Sequence, residues 1–269
     1  MVIEMYKKID LTKLNIEDNY LPESFNGCRI LHVSDLHNCD FGDRQEKLIQ
    51  LSRQQKPDYI FITGDMIDQY HAGMKQACLY IRGLIKIAPV FYVTGNHEWE
   101  IQEEVRRAFF SFLRRSGVVI LHDEIVELKK EESSIQLIGI DDPYAALRKL
   151  GKIDDSLFAK YFLKRLSILN QRKKGMYTIL LSHRPEFINY YSKVKINLVF
   201  SGHAHGGQFR LPILGSVLAP HQGFFPKYAE GIICKEDTSM IVSRGLGDSL
   251  FPVRIGNFPE LLLVTLYKK

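Results

Sequence analysis

Residues 29–37 read RILHVSDLH, and this short apolar run ending in Asp and His decides the fold. The same pattern returns twice, because residues 59–68 read YIFITGDMID and residues 90–98 read VFYVTGNHE. Short apolar runs bounded by turn residues are typical of buried strands. Amphipathic patterns that predict helices lie between or after them, at residues 44–55, 74–87 and 103–116. Strands that alternate with helices predict βαβ units around a mostly parallel sheet.

The second half of the chain repeats the strand signal in a different arrangement. Residues 125–128 and 135–140 flank a charged KKEESS turn, which indicates a hairpin rather than a helical crossover. A helix is predicted at residues 154–171, and further strands at 178–182, 198–201, 240–243 and 261–267. No repeat or linker marks a domain boundary. We therefore predict one α/β domain over residues 1–269, with a βαβαβ core and a two-sheet β-sandwich flanked by helices.

Composition narrows the function classes. A net charge of +5 suits an anionic substrate, but it forms no concentrated basic stripe, which argues against nucleic acid as a partner. The four cysteines show no C-x-x-C pair, which argues against a disulfide framework or a structural zinc site. No stretch approaches the roughly 18 apolar residues of a membrane helix, and the charged N-terminus does not resemble a signal peptide. These features predict a cytoplasmic protein, or an anchor outside this chain.

Metal-binding residue types follow five of the predicted strands. The segments are DLH at 35–37, GDMID at 64–68, GNHE at 95–98, HRPE at 183–186 and GHAHGG at 202–207. They hold five of the nine histidines, and the carboxyl ends of strands are where functional groups gather in α/β sheets. In extended chain residues i and i+2 point the same way, so Asp35 and His37 are expected to hold one ion. Glycines before Asp65, Asn96 and His203 are expected to turn the backbone sharply.

This ordered set of motifs resembles the calcineurin-like metallophosphoesterase family over nearly the whole chain. The resemblance implies that family's fold and two divalent ions, with Mn, Zn or Fe suited to mixed carboxylate, imidazole and amide ligands. It implies that the first ion is held by Asp35, His37, Asp65 and His205. It implies that the second is held by Asp65, Asn96, His183 and His203, with Asp65 bridging.

The resemblance also implies a mechanism. A hydroxide bridging the two ions attacks a phosphate ester, and the ions neutralise the phosphate oxygens. His97 is expected beside the phosphate, where it donates a proton to the leaving oxygen or stabilises developing charge. Asp68 is expected to orient His97. Glu98 and Arg184 border the site, either touching it or forming structural salt bridges.

The substrate expectation rests on a closer resemblance. Residues 34–38, 181–186, 202–208 and 244–247 look like a bacterial branch that includes membrane-associated phosphodiesterases and UDP-2,3-diacylglucosamine pyrophosphatase-type enzymes. This implies a nucleotide-sugar lipid or another lipid-linked substrate, and peripheral contact with a membrane. Phe224 and Phe225, in a Gly- and Pro-rich loop, would form an apolar rim for an acyl chain. The alternative is that both phenylalanines pack under the loop as core.

Three functions follow from these observations. The leading one is a phosphodiesterase or pyrophosphatase that acts on a small or lipid-linked substrate. A nuclease of the same fold is the second, although nothing in the sequence resembles a DNA-capping domain. The third is a scaffold that keeps the fold without catalysis. Such a protein would be expected to lose ligands, whereas all seven ligand positions and His97 stand in this sequence.

Overall fold

The computed structural model of the protein describes most of the chain. It covers residues 8–71, 73–143, 155–171, 175–207, 210–211, 215–216, 218–219, 223–224, 226–248 and 256–269. For residues 155–158, residue 171 and the four residue pairs between 210 and 224 it describes the backbone alone.

Two six-stranded sheets form the framework. The strands, in chain order, are β1 (Asp10–Asp18), β2 (Arg29–Val33), β3 (Tyr59–Ile62), β4 (Val90–Tyr92), β5 (Val119–Ile120), β6 (Glu124–Lys130), β7 (Ser133–Gly139), β8 (Thr178–Leu181), β9 (Leu198–Ser201), β10 (Arg210–Leu211), β11 (Gly215–Ser216), β12 (Leu218–Ala219), β13 (Gly223–Phe224), β14 (Gly231–Lys235), β15 (Thr238–Val242) and β16 (Glu260–Lys268). The first sheet has the order β1-β16-β2-β3-β4-β5, and the second has the order β14-β15-β9-β8-β7-β6. The pairs β10–β11 and β12–β13 are separate two-stranded ribbons.

Parallel strands form the centre of each sheet. β2, β3, β4 and β5 pair in parallel, and so do β7, β8, β9 and β15. β16 runs antiparallel to β2 and parallel to β1, so it joins the two ends of the chain in one sheet. Because both faces of the central strands are covered, their side chains are apolar at nearly every position.

Helices cover the outer face of each sheet. Their bounds, in chain order, are α1 (Glu46–Gln54), α2 (Lys75–Leu84), α3 (His97–Glu100), α4 (Glu103–Arg115), α5 (Asp155–Gln171) and α6 (Ile188–Lys193). One apolar cluster joins α1, α2 and α4 to the first sheet, and another joins α5 and α6 to the second. A third cluster lies between the sheets, where the Phe61 and Phe200 rings meet edge to face with centroids 5.2 Å apart.

This architecture confirms the predicted two-sheet sandwich and its helical flanks. The hairpin forms as β6 and β7, and the predicted helices form within one to three residues of the expected bounds. The strands β1, β5 and β14 and the two-residue strands β10 to β13 were not predicted. β1 is an edge strand whose Asp, Lys, Asn and Glu side chains interrupt the apolar pattern, and most of its residues are partly exposed. Among the described residues, no helix combines the length and the apolar character that a membrane crossing requires.

Candidate metal centre

The carboxyl ends of five parallel strands converge where the two sheets meet. β2, β3 and β4 contribute from the first sheet, and β8 and β9 contribute from the second. The seven predicted ligands lie on the segments that follow these strands, and none is more than 5% exposed: Asp35, His37, Asp65, Asn96, His183, His203 and His205. Charged and polar side chains are rarely buried so fully unless they are paired or bind a metal.

Asp35, His37 and His205 form the first cluster of ligand-type atoms. The Nε2 atoms of the two imidazoles lie 3.2 Å apart. Oδ1 of Asp35 lies 3.4 Å from Nε2 of His205 and 3.9 Å from Nε2 of His37. The three side chains thus present their nitrogens and oxygen to one common point.

Asp65, His183 and His203 form a second, equally compact cluster. Nε2 of His183 lies 3.0 Å from Oδ2 of Asp65 and 3.1 Å from Nδ1 of His203. Asp65 also groups with His37 and His97 in a third set of close donor atoms. Asp65 therefore has close donor atoms from both clusters around it.

The buried charges in these clusters shift one another's pKa values. Burial opposes protonation of His183, but the Asp65 and Asp35 carboxylates outweigh it and raise its pKa to about 10. Burial and the charge of Asp65 raise the pKa of Asp35. The pKa of Asp65 lies well below its usual value because, against the effect of burial, His183 and His97 stabilise the charged form. The carboxylates therefore create a local field that favours positive charge at the site.

Left-handed backbone delivers most of these side chains. The φ angles are 52° at Asp35, 48° at His37, 52° at Asp65, 66° at His203 and 50° at His205. Non-glycine residues adopt this region uncommonly, and such strained positions concentrate at functional sites. The expectation that Asp35 and His37 share extended geometry is therefore wrong. The two side chains do meet, but a left-handed turn after β2 brings them together.

The close approach of a carboxylate explains why glycine stands at positions 95 and 202. Gly64 has a φ of 93°, as the turn prediction requires. Gly95 and Gly202 do not have positive φ, so left-handed backbone does not require glycine there. A Cβ at Gly95 would lie 2.1 Å from Oδ1 of Asp65, and a Cβ at Gly202 would lie 2.3 Å from Oδ2 of Asp35. Only glycine leaves room for the carboxylates at these two positions.

Contacts outside the clusters leave inward-facing atoms available for a metal. Nδ1 of His183 lies 2.6 Å from the carbonyl oxygen of Thr63, and a hydrogen bond donated there turns Nε2 toward the cluster. The amide of Asn96 donates to Glu100 at 3.1 Å, while its Oδ1 has no hydrogen-bond partner in the described part of the chain. Oδ2 of Asp65 is likewise buried, and it lies 3.0 Å from Nε2 of His183. Buried oxygens beside imidazole nitrogens fit the donor set of a divalent cation.

Comparison with known proteins identifies the family. Residues 28–207 match the family model described as calcineurin-like phosphoesterase. The chain belongs to this family. It is a family of phosphoester hydrolases that use divalent metal ions, and the matched residues include all five motif segments.

Individual relatives align with nearly the whole chain. This chain is 29% identical over 266 residues to the uncharacterised metallophosphoesterase YkuE of Bacillus subtilis, and the alignment covers 96% of this chain and 85% of the relative. It is 25% identical over 241 residues to the phosphodiesterase YaeI of Escherichia coli, covering 88% of this chain and 82% of the relative. The solved structure of TT1561 from Thermus thermophilus has the same fold, with a TM-score of 0.51 at 16% identity, covering 82% of this chain and 91% of that one.

Asp68 occupies a different place in the phosphoesterase from the one predicted. Its Oδ2 lies 3.1 Å from Nδ1 of His37 and 3.0 Å from Nδ1 of His71. The expectation that it orients His97 is therefore wrong, because Nδ1 of His97 instead faces Glu100, 3.4 Å from Oε2. The left-handed turn at residues 35–38 is the physical reason, since it carries the His37 ring to the carboxylate.

Glu98 and Arg184 stabilise the site through hydrogen bonds to residues that neighbour the ligands. The buried Glu98 carboxylate accepts hydrogen bonds from the backbone of residues 65, 66 and 95 and from the hydroxyl of Tyr92, at 2.7–2.9 Å. It thereby ties the segments after β3 and β4 together. Arg184 donates to Asp142 through Nε at 2.7 Å, and its Nη1 lies 3.4 Å from Nε2 of His203. Asp142 was not predicted, although it follows β7 in the same way that the ligands follow their strands.

The lipid prediction concerns a part of the phosphoesterase that the structure does not describe. Phe225 and the side chain of Phe224 lie outside the described residues. The names of the relatives above specify no UDP-2,3-diacylglucosamine substrate. Lipid-linked substrates and membrane contact therefore stay predictions.

Proposed function

We propose that the protein is a phosphodiesterase that uses two divalent ions, one at each cluster of buried ligands. The observation that carries this proposal is the pair of clusters that share Asp65 as a neighbour. Asp35, His37, Asp65 and His205 would hold one ion. Asp65, Asn96, His183 and His203 would hold the other. Mn, Zn or Fe suits this set of oxygen and nitrogen donors.

The bound ions would supply Lewis-acid chemistry, neutralising phosphate oxygens and acidifying a water molecule. The chain itself positions the substrate phosphate and handles the proton of the leaving group. His97 is the residue we propose for this proton transfer. Its side chain is 14% exposed, and its Nε2 lies 4.0 Å from Oδ2 of Asp65, at the boundary between the buried cluster and solvent. Oε2 of Glu100 lies 3.4 Å from the other ring nitrogen and would orient the imidazole.

A diester is the substrate class we propose, because the E. coli relative that covers most of this chain is named a phosphodiesterase. The proposal is tested by loading the protein with Mn²⁺, Zn²⁺ or Fe²⁺ and measuring bound metal by mass spectrometry. Hydrolysis of bis-p-nitrophenyl phosphate, p-nitrophenyl phosphate and a nucleotide-sugar lipid is then compared. We expect two ions per chain and the highest kcat/KM on a diester. One ion per chain at full activity contradicts the two-ion proposal, and no hydrolysis by fully loaded protein contradicts the activity.

The role of His97 needs its own variant and a matched control. His97→Ala should lower kcat by roughly 10²–10⁴-fold on diesters with alkyl leaving groups. The loss should be smaller on bis-p-nitrophenyl phosphate, because p-nitrophenolate leaves readily without a proton. His122→Ala is the control, since His122 is also partly exposed and paired with a carboxylate, that of Asp141 at 2.9 Å. Equal losses on both types of leaving group would contradict proton donation by His97.

A further inference from the structure

An exposed aromatic side chain lies next to His97. Tyr70 is 53% exposed, although large apolar side chains of the described residues are mostly buried. Its ring centroid lies 6.1 Å from that of the His97 imidazole, with an angle of 67° between the planes. The His97 ring also meets the buried His37 ring, with centroids 4.8 Å apart and an angle of 90° between the planes. The His97 imidazole is thus in contact with a buried member of the first cluster and with an exposed aromatic ring.

Asp68 fixes the segment that carries Tyr70. Oδ1 of Asp68 accepts hydrogen bonds from the backbone N–H groups of Tyr70, at 2.9 Å, and His71, at 2.6 Å. Gln69 donates its side-chain amide to the Tyr70 hydroxyl at 3.2 Å. The same Asp68 carboxylate contacts His37, so the exposed ring is tied to the buried cluster through one side chain. An exposed aromatic held in this way has a defined position relative to the site.

The direction of the leaving group follows from the place of His97. A proton donor must lie within hydrogen-bond reach of the leaving oxygen. The group attached to that oxygen cannot extend inward, where the clusters are closed by buried side chains. It would therefore extend toward solvent, and the exposed Tyr70 ring lies 6.1 Å from the His97 imidazole.

We propose that Tyr70 binds the leaving group and gives the enzyme a preference for phosphodiesters with a planar aromatic or heteroaromatic leaving alcohol. This inference rests on the proposed function and adds the substrate class. Flat rings stack on tyrosine in offset or edge-on geometries that a puckered ring of the same size cannot match. Such stacking changes affinity by about threefold to tenfold beyond simple apolar burial.

Two ligands with the same carbon skeleton, one with a planar ring and one with a puckered ring, test the proposal. Benzylphosphonate and cyclohexylmethylphosphonate carry a methylene in place of the ester oxygen, so neither can be hydrolysed. Their binding to manganese-loaded protein is measured by calorimetry. We expect the benzyl compound to bind about threefold to tenfold more tightly. Tyr70→Leu, which keeps an apolar side chain without a ring, should abolish this difference, and Tyr70→Phe should retain it.

Tyr20→Ala is the control, because Tyr20 is also an exposed tyrosine, with 73% of its surface accessible. It borders a 330 Å³ cavity together with Tyr177 and Asn197, which precede β8 and β9. That cavity lies at the amino ends of the strands, away from the site. Tyr20→Ala should leave the planar preference unchanged. Equal binding of the two phosphonates by the wild type, or a preference that survives in Tyr70→Leu, overturns the proposal. Because binding is measured without turnover, a protein that hydrolyses no diester contradicts the proposed function separately.

Discussion

Substitution of Gly95 by alanine tests whether the Asp65 carboxylate must lie where the structure places it. Gly95 has no positive φ, so alanine introduces a steric change without the strain of a left-handed backbone. The new Cβ would lie 2.1 Å from Oδ1, 2.6 Å from Cγ and 2.8 Å from the backbone nitrogen of Asp65. Ordinary van der Waals contact begins near 3.4 Å, so the carboxylate must move by about 1.3 Å.

That movement separates two atoms from their partners. Oδ1 of Asp65 accepts the backbone N–H of His97 at 2.9 Å, and Oδ2 lies 3.0 Å from Nε2 of His183. A misplacement of about 1 Å in a catalytic site costs on the order of 10²-fold in rate. Overpacking itself costs about 1–3 kcal/mol of folding free energy. We therefore expect Gly95→Ala to fold, to bind less metal and to lose at least about 100-fold in kcat/KM.

Gly83→Ala provides the matched control for overpacking. A Cβ at Gly83 would lie 2.5 Å from the Ile49 side chain, in the α1–α2 interface and away from the candidate centre. Bound metal after dialysis, hydrolysis of bis-p-nitrophenyl phosphate and urea unfolding are measured for both variants. Gly83→Ala should retain wild-type metal content and kcat/KM. A folded Gly95→Ala protein with both quantities within twofold of wild type would refute the reasoning.

Three further perturbations test other parts of the structure. Chelation by EDTA should abolish hydrolysis and lower Tm, because ions that bind only the folded chain stabilise it. Added Mn²⁺ should restore both the activity and the Tm. An unchanged Tm would argue against a buried ion. Arg184→Ala leaves the buried Asp142 charge without its bidentate partner, so urea unfolding should show a loss of about 3–5 kcal/mol. Burial opposes ionisation of Asp68, but His37 and His71 lower its pKa below the usual value. Ionised Asp68 therefore stabilises the fold above a pH of about 4, and that contribution is lost as the pH falls further. Metal-free Asp68→Asn should be less stable than wild type at pH 7, and the difference should narrow as the pH falls below about 4; a constant difference would contradict it.

The strands and the place of the site could be predicted from the sequence because one rule covers both. Continuous apolar runs indicate strands covered on both faces, and the carboxyl ends of such strands meet at one edge of the sheet. Asp142 also follows the carboxyl end of a parallel strand, β7. Its place near the site was not predicted, because the hairpin signal did not indicate that β7 also pairs in parallel with β8. The expectation of one domain stays a prediction.

The contacts of Asp68 could not be predicted in this way. Spacing places Asp68 three residues after Asp65, but it does not specify which imidazole the carboxylate reaches. That choice depends on the left-handed conformation at His37, where φ is 48°, and no residue type at that position signals it. Histidine adopts this region more often than most residues, yet only as a minor conformation.

The strained ligands and the crowded glycines have one physical explanation. A left-handed residue costs on the order of 1–3 kcal/mol when surrounding contacts must enforce it. Here backbone hydrogen bonds enforce it: Asp35 donates to the carbonyl of Gly64 at 3.0 Å, and His37 donates to that of Asp65 at 2.9 Å. These bonds hold the segments after β2 and β3 side by side, with the Asp35 and Asp65 carboxylates on them. A Cβ at Gly95 would lie 2.1 Å from Oδ1 of Asp65, and one at Gly202 would lie 2.3 Å from Oδ2 of Asp35, so glycine is needed where each carboxylate meets a neighbouring segment.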